Sequence, residues 1–228
     1  MKNFDKSWEN FLKEIFSLAG FEIEDTCIPL LKIYGEELIN WNKKKNLTSI
    51  TSPDKITVLH FLDSVYALSF IDRIKGKKVL DVGTGGGFPG LILKIFAPEL
   101  DIYLLDASRK KISFLKYISS KLGLKDIHCI HDRAEKFTRE NLLEFNFIIS
   151  RAFTSMDNFF DLVWPGLAED GRIIAMKGPD TDDELSCFRE RKYSYGDRKI
   201  DGGSVNYSIF EYELPVVQHK RKIISLTC

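Results

Sequence analysis

At 228 residues, with 44% hydrophobic and 29% charged side chains, the chain has the make-up of a folded domain long enough to bury a core. Thirty-three basic and 33 acidic residues balance to zero, so a nucleic-acid partner has to be met by a local basic face and not by the field of the whole molecule. Cys27, Cys129, Cys187 and Cys228 are scattered without a CxxC pair, which argues against a zinc site, and the charged start Met1-Lys2-Asn3-Phe4-Asp5-Lys6 reads as neither signal peptide nor membrane span, so a cytoplasmic protein is expected.

Trp8, Phe11, Leu12, Ile15, Phe16 and Ala19 fall on one helical face and predict an amphipathic helix over 8–19, stopped by Gly20. A second helix is predicted from Pro29 to about Asn42, its stripe carried by Leu30, Leu31, Tyr34, Leu38 and Trp41. Both stripes read as core. The following Lys43-Lys44-Lys45-Asn46-Leu47-Thr48 has no period and reads as a loop, either solvated surface or an RNA-contacting edge beside Trp41. After Pro53 a helix is expected to place Ile56, His60 and Ser64 on one face, with His60 open to a structural or a functional reading. Arg73-Ile74-Lys75-Gly76-Lys77 marks a boundary, which divides the chain into an N-terminal helical extension, 1–75, and a core, 76–228.

Lys78 to Val82 reads as a buried strand that empties into Gly83-Thr84-Gly85-Gly86-Gly87-Phe88-Pro89-Gly90, with a helix predicted from Phe88 to Ala97. Glycines take positive φ cheaply and let a ligand approach the backbone without a Cβ in the way. From Gly83 the run is G-x-G-x-G, the form used with S-adenosylmethionine (SAM); from Gly85 it is G-x-G-x-x-G, the dinucleotide fingerprint. The glycines alone leave both open.

Downstream, strands are predicted at 101–105, 127–131, 145–149 and 172–176, with helices at about 108–122 and 156–167 between them. This βαβ repetition implies a parallel sheet with right-handed crossovers. Asn206 to Leu214 and Arg221 to Leu226 have no helix between them and are expected to pair antiparallel. A parallel sheet closed by an antiparallel hairpin favours the SAM reading: an α/β, Rossmann-like, class I SAM-dependent methyltransferase with a seven-stranded, mostly parallel sheet. Ligands of such sheets lie beyond the carboxyl ends of the strands. Gly83 and Gly85 are then the points of backbone approach. Asp106, 23 positions after Gly83, is the carboxylate for the ribose hydroxyls, with a helix N-cap as its alternative. Asp132-Arg133-Ala134-Glu135 falls where the adenine ring should rest, Ser150-Arg151-Ala152-Phe153 faces the reacting methyl, and Lys177-Gly178-Pro179 closes the fifth strand or forms a plain turn.

Taken together, Asn46-Leu47-Thr48, His60-Phe61-Leu62-Asp63-Ser64, Asp81 to Gly90, Leu105-Asp106 with Lys110-Lys111, Arg133-Ala134-Glu135, Ser150-Arg151-Ala152 and Lys177-Gly178 resemble the RsmG/GidB family, bacterial small-subunit rRNA guanine-N7 methyltransferases. The resemblance implies SAM as cofactor, with contacts at Gly83, Phe88, Ala134, Glu135 and Arg151. It further implies a target guanine in the 530 loop of 16S rRNA, presented by the rRNA or the small ribosomal subunit to a monomer. Two departures stand out: Lys110-Lys111 replaces the family's common Lys-Arg, and the sequence ends at Cys228 where many members carry a basic tail, so that if the tail grips RNA in those members a different grip is expected here. Guanine N7 is a neutral lone pair, so no general base is needed. Arg151, His60 and Asp63 are the candidates for orienting the base, and Lys43 to Lys45, Arg73 to Lys78 and Arg109 to Lys111 for a basic RNA face around the cofactor mouth. The competing classes are a non-catalytic RNA-binding ribosome-assembly factor on the same fold and an NAD-dependent oxidoreductase.

Overall fold

The computed structural model describes residues 3–140 and 143–227; Cys228, one of the four cysteines read above, lies outside them. Helix α1 (Lys6–Leu18) starts at Asp5, whose carboxylate accepts from the Ser7 and Trp8 amides at 3.0 and 3.2 Å and so satisfies two of the free N–H groups of the first turn. Helix α2 (Cys27–Lys45) is longer than expected at both ends. Its last turn is the lysine run, which is therefore helical: lysine is a good helix former, and three cations at the carboxyl end complement the helix dipole. Asn46, at φ 50°, stops it.

The stretch after Pro53 is one continuous helical run with changing pitch: α3 (Pro53–Ile56), a π turn (Thr57–Leu62), α4 (Asp63–Val65) and a 3₁₀ turn (Tyr66–Phe70). The widened turn moves side chains off the regular i, i+4 face, a distortion often found at functional sites. Consequently His60 and Asp63 turn toward the sheet together. Ser64 Oγ instead donates back to the His60 carbonyl at 2.6 Å.

The sheet follows the order β3-β2-β1-β4-β5-β9-β8, from β1 (Lys78–Val82), β2 (Asp101–Asp106), β3 (Ile127–His131), β4 (Phe145–Arg151), β5 (Leu167–Lys177), β8 (Asn206–Leu214) and β9 (His219–Thr227). The first five are parallel; β9 is antiparallel to both β5 and β8. The chain reverses its direction of build between β1 and β4, which sets the switch point beside the glycine turn.

Helices cover both faces: α5 (Gly90–Phe96) and α6 (Arg109–Lys121) join α1, α2 and the 53–70 run on one side. On the other lie α7 (Ala134–Glu140), α8 (Met156–Val163), α9 (Asp182–Glu190) and a small hairpin, β6 (Lys192–Tyr195) with β7 (Arg198–Asp201). Strand residues alternate between the two cores as the pleat requires: Ile174 and Met176 face the first, Ile173 and Ala175 the second.

The helix expected over 156–167 ends at Val163, because Pro165 lies within the 3₁₀ turn Trp164–Gly166, and β5 starts at Leu167, five residues earlier than expected. Likewise β4 runs on to Arg151, so Ser150 and Arg151 belong to the strand. Among the described residues no helix is long and apolar enough to cross a membrane.

Candidate functional site

The turn after β1 is held open by hydrogen bonds to its sides. Gly83 and Thr84 donate their amides to the Leu105 carbonyl at 2.9 and 3.1 Å, tying the turn to β2. Thr84 Oγ1 and the Gly90 amide donate to the buried Asp81 Oδ2 at 2.6 and 2.7 Å, and burial pushes the Asp81 carboxyl up to about 6 despite them. Tyr34, fully buried on α2, donates its hydroxyl to the Gly86 carbonyl at 2.6 Å. The glycines then separate by what surrounds them. A Cβ at Gly90 would lie 2.4 Å from Leu104 and 2.8 Å from Asp81, and one at Gly87 would lie 2.4 Å from Leu91. Those two positions are filled by packing. Gly85 is at φ +62° and a Cβ there would meet nothing closer than the Gly83 carbonyl at 3.9 Å, so its face is open. Gly83, at φ +70°, is covered by the ring of the exposed Phe153, 2.5 Å from the Cβ position.

Asp106 ends β2 beside this opening, 7% exposed. One carboxylate oxygen accepts from the Gly85 amide at 3.0 Å and faces Lys111 Nζ at 3.3 Å; the other accepts from the Ser108 amide at 2.8 Å. The N-cap of α6 is Ser108 and not Asp106; the Asp106 carboxylate instead ties down the turn before the helix and stands beside the glycine turn. Ala134 and Glu135 open α7 beyond β3, at the same edge, the first buried and the second exposed.

A second cluster joins the extension to the sheet. Arg151 Nη1 donates to the Leu59 carbonyl at 2.9 Å and to Asp63 Oδ2 at 3.2 Å; Nη2 lies 3.0 Å from His60 Nδ1. Since a guanidinium only donates, Nδ1 is the acceptor and the imidazole proton sits on Nε2, 2.9 Å from Thr48 Oγ1. The His60 ring stacks on Phe88 at 4.3 Å between centroids, and the Arg151 guanidinium lies 5.2 Å from that ring. Burial, reinforced by the adjacent Arg151 charge, lowers the His60 pKa to about 3, so the ring is neutral. Asp63 Oδ1 accepts from the Tyr212 hydroxyl at 2.8 Å. Burial and the Asp63 charge push the Tyr212 phenol up. The three candidates for base orientation therefore meet in space, but His60 has both ring nitrogens committed, and Phe88 is 4% exposed, stacked also on Tyr34.

Beside Arg151 lies a cleft of about 440 Å³, lined among others by His60, Asp63, Arg151, Lys177, His219 and Arg221, within the range of roughly 300–1,000 Å³ usual for ligand pockets. Lys177 fixes its far wall, donating to the Thr154 carbonyl and pairing with Glu184 at 2.7 Å, so the closing Lys177-Gly178 is more than a plain turn. The sequence reading passed over Tyr212, His219 and Arg221. Alternation along β9 puts His219 and Arg221 on one face, and the register sets Arg221 opposite Tyr212 of β8, but nothing in the local sequence marks these residues as part of a site.

Of the three basic clusters, Arg109 to Lys111 begins α6 beside Asp106, and Lys43 to Lys45 ends α2 close to Thr48. Arg73 to Lys78 leads into β1, Lys78 being its first residue, and so lies at the opposite, amino-terminal edge of the sheet, where Arg73 pairs with Glu99 at 2.9 Å; it is not part of a face around the glycine turn. Trp41 packs on Phe114 and Tyr117 of α6, and the Asn42 side chain accepts from the Leu47 and Thr48 amides, so both serve the fold.

A family described as rRNA small subunit methyltransferase G, GidB, matches residues 27–200. The ribosomal RNA small subunit methyltransferase G of Desulforamulus reducens is 34% identical over 215 residues, 93% of this chain and 87% of that protein. Its counterpart from Listeria monocytogenes serotype 4b is 34% identical over 210 residues, 91% and 85%. Among solved structures, the precorrin-6y C5,15-methyltransferase of Geobacter metallireducens shares the fold with a TM-score of 0.53 at 16% identity, over 78% of this chain and 89% of that one. With three-quarters of its length matched by the family and a glycine turn packed as described, the chain belongs to the GidB family of rRNA small subunit methyltransferases.

Proposed function

We propose that this protein transfers a methyl group from SAM to N7 of a guanine in 16S rRNA, in the 530 loop. Family membership supports the reaction class, and one observation carries the rest: the His60–Phe88–Arg151 stack joins the glycine turn directly to a cleft whose walls mix apolar side chains with Asp63, Lys177 and Arg221.

The residues fit a nucleoside cofactor. Gly85 presents open backbone, and Asp106 offers a buried carboxylate next to it, with an oxygen whose only hydrogen-bond donor among the described residues is the Ser108 amide. Gly83, Gly85, Phe88, Asp106, Ala134, Glu135 and Arg151 are the residues assigned to hold SAM. When bound, SAM supplies an electrophilic methyl on a sulfonium. The chain's own part is binding, alignment and exclusion of water, since N7 carries no proton to remove. His60, neutral and bonded at both nitrogens, suits positioning of Arg151 and not base catalysis. In duplex RNA the N7 edge lies in a deep, narrow groove, so the guanine is taken from a loop or flipped.

On this reading the helical extension, 1–75, completes the site built by the core, 76–228. The protein works in the cytoplasm as a monomer on 16S rRNA or the small ribosomal subunit. Incubation with labelled SAM and unmethylated 16S rRNA or subunits, followed by cleavage at N7-methylguanine, tests the proposal. Label placed elsewhere, or none, refutes it.

A further inference from the structure

One side of the cleft, formed by β9, carries none of the residues assigned to the cofactor. Along β9 the side chains alternate, and the register with β8 sets Lys220 opposite Glu213 and Lys222 opposite Glu211. Lys222 Nζ lies 3.0 Å from Asp182 and 3.3 Å from Glu211, so its charge is balanced within the fold. His219 and Arg221 take the other face and line the cleft. Arg221 is poorly satisfied there. Its Nε is 3.7 Å from Asp63 Oδ1 and its Nη1 is 3.5 Å from the Lys220 carbonyl, both at or beyond the limit of a hydrogen bond. Asp63 has little left to give, because Arg151 takes one oxygen and Tyr212 the other. Two guanidiniums share one carboxylate, which leaves net positive charge and, among the described residues, free N–H donors at the cleft wall.

We infer that Arg221 holds the target nucleotide by donating to one of its oxygens, with Asp63 and Tyr212 fixing Arg221 in place. This rests on the guanine-N7 reading above. Next to N7 guanine carries O6, an acceptor, where adenine carries an amine donor. A guanidinium at that position accepts guanine and faces adenine donor to donor, so Arg221 also selects the base. The alternative source of the oxygen is the nucleotide's phosphate. Arg151 cannot take this role as readily, since three of its donor contacts are spent on Leu59, Asp63 and His60.

The test measures kcat, KM for small-subunit RNA, its salt dependence and the SAM dissociation constant for the wild type, Arg221→Ala and Arg221→Lys. Arg221→Ala is expected to lower kcat/KM by about 10- to 100-fold, the worth of a hydrogen bond to a charged group, with SAM affinity unchanged. If the oxygen is O6, the loss falls on kcat and Arg221→Lys does not restore it; if it is phosphate, KM rises, the salt slope flattens and lysine restores most of the loss. Wild-type kinetics in Arg221→Ala overturn the inference, as does a parallel loss of SAM binding and melting temperature. A wild type that makes no N7-methylguanine refutes the function instead. Equal RNA affinity of wild type and Arg221→Ala would then overturn the role of Arg221 as well.

Discussion

Arg151 and His60 are 91 residues apart in the chain and 3.0 Å apart in the fold, guanidinium to imidazole, with the charge on one side only. The contact fixes the tautomer of His60 and sets Arg151 over Phe88, so one arginine binds the helical extension, the glycine turn and the cleft together.

Replacing Arg151 by Ala removes the guanidinium from Asp63, whose side chain is 4% exposed. Asp63 keeps Arg221 at 3.7 Å and the Tyr212 hydroxyl at 2.8 Å, so the cost is that of one lost hydrogen bond to a charged group, about 1.5–3 kcal/mol. We predict a loss of stability of that order in urea titration together with a fall of at least about 100-fold in single-turnover methyl transfer. Arg151→Lys is expected to recover little, since one ammonium cannot span the Leu59 carbonyl, Asp63 and His60 as the planar fork does. Turnover like the wild type's in Arg151→Ala would remove the residue from the site.

The lowered pKa of His60 has a consequence for stability. Unfolded, the ring takes up a proton below its ordinary value of 6.5; folded, it stays neutral down to about 3 because it is buried beside Arg151. The unfolded chain therefore binds more protons in that window, and the His60 contribution is lost as pH falls from about 6.5 toward 3. Asp81 acts in the opposite sense, since its raised carboxyl stabilises the fold below 3.8 and loses that effect as pH rises through about 6. Subtracting His60→Gln from the wild type cancels Asp81. The difference curve of unfolding free energy is expected to rise by a few kcal/mol between pH 4 and 6.5, at about 1.4 kcal/mol per pKa unit. A flat difference would mean that the ring is not held neutral.

The sheet and the glycine turn were legible because local sequence encodes them: apolar runs such as Val79 to Val82, glycines where φ is positive, and turn residues between. Lys43 to Lys45 misled because a polar helix end has no apolar period to read, and α7 was missed because it is a short helix, seven residues starting at Ala134, in a stretch read only as the place for the adenine ring. The hairpin of β6 and β7 was missed because its strands are four mostly polar residues each, although Gly196-Asp197 between them is a turn signal. The cluster of Tyr212, Asp63, Arg151 and His60 was legible only as separate residues. Tyr212 and Asp63 are 149 positions apart, and topology alone brings them together. Resemblance named His60, Asp63 and Arg151 without their partners, and nothing local marked Tyr212 or Arg221.

Gly85 and Gly90 should part ways on substitution. At Gly90 the added methyl of alanine meets Leu104 at 2.4 Å and Asp81 at 2.8 Å in a closed space, an overpacking expected to cost about 1–3 kcal/mol. At Gly85 it enters open space, and the cost is the left-handed backbone, about 1–2 kcal/mol. Gly90→Ala is expected to lower the melting temperature more, whereas Gly85→Ala should weaken SAM binding more, read by calorimetry. Equal effects of both on both readouts would contradict the division of the turn into a packed end and an open face.

Tyr34 offers the sharpest test of whether the extension is part of the cofactor site. Its hydroxyl reaches from α2 to the Gly86 carbonyl at 2.6 Å, and its ring stacks on Phe88 at 5.3 Å, so phenylalanine keeps the packing and removes one hydrogen bond. A buried carbonyl left without its donor costs about 1–3 kcal/mol. Because that carbonyl lies between Gly85 and Gly87, the loss falls on the turn itself. We predict that Tyr34→Phe unfolds at slightly lower urea and that its SAM dissociation constant rises severalfold, with KM for RNA unchanged. Were SAM affinity to hold steady while stability fell, the helices before β1 would be scaffolding alone, and the open face of the glycine turn would owe its shape to β1, β2 and Asp81.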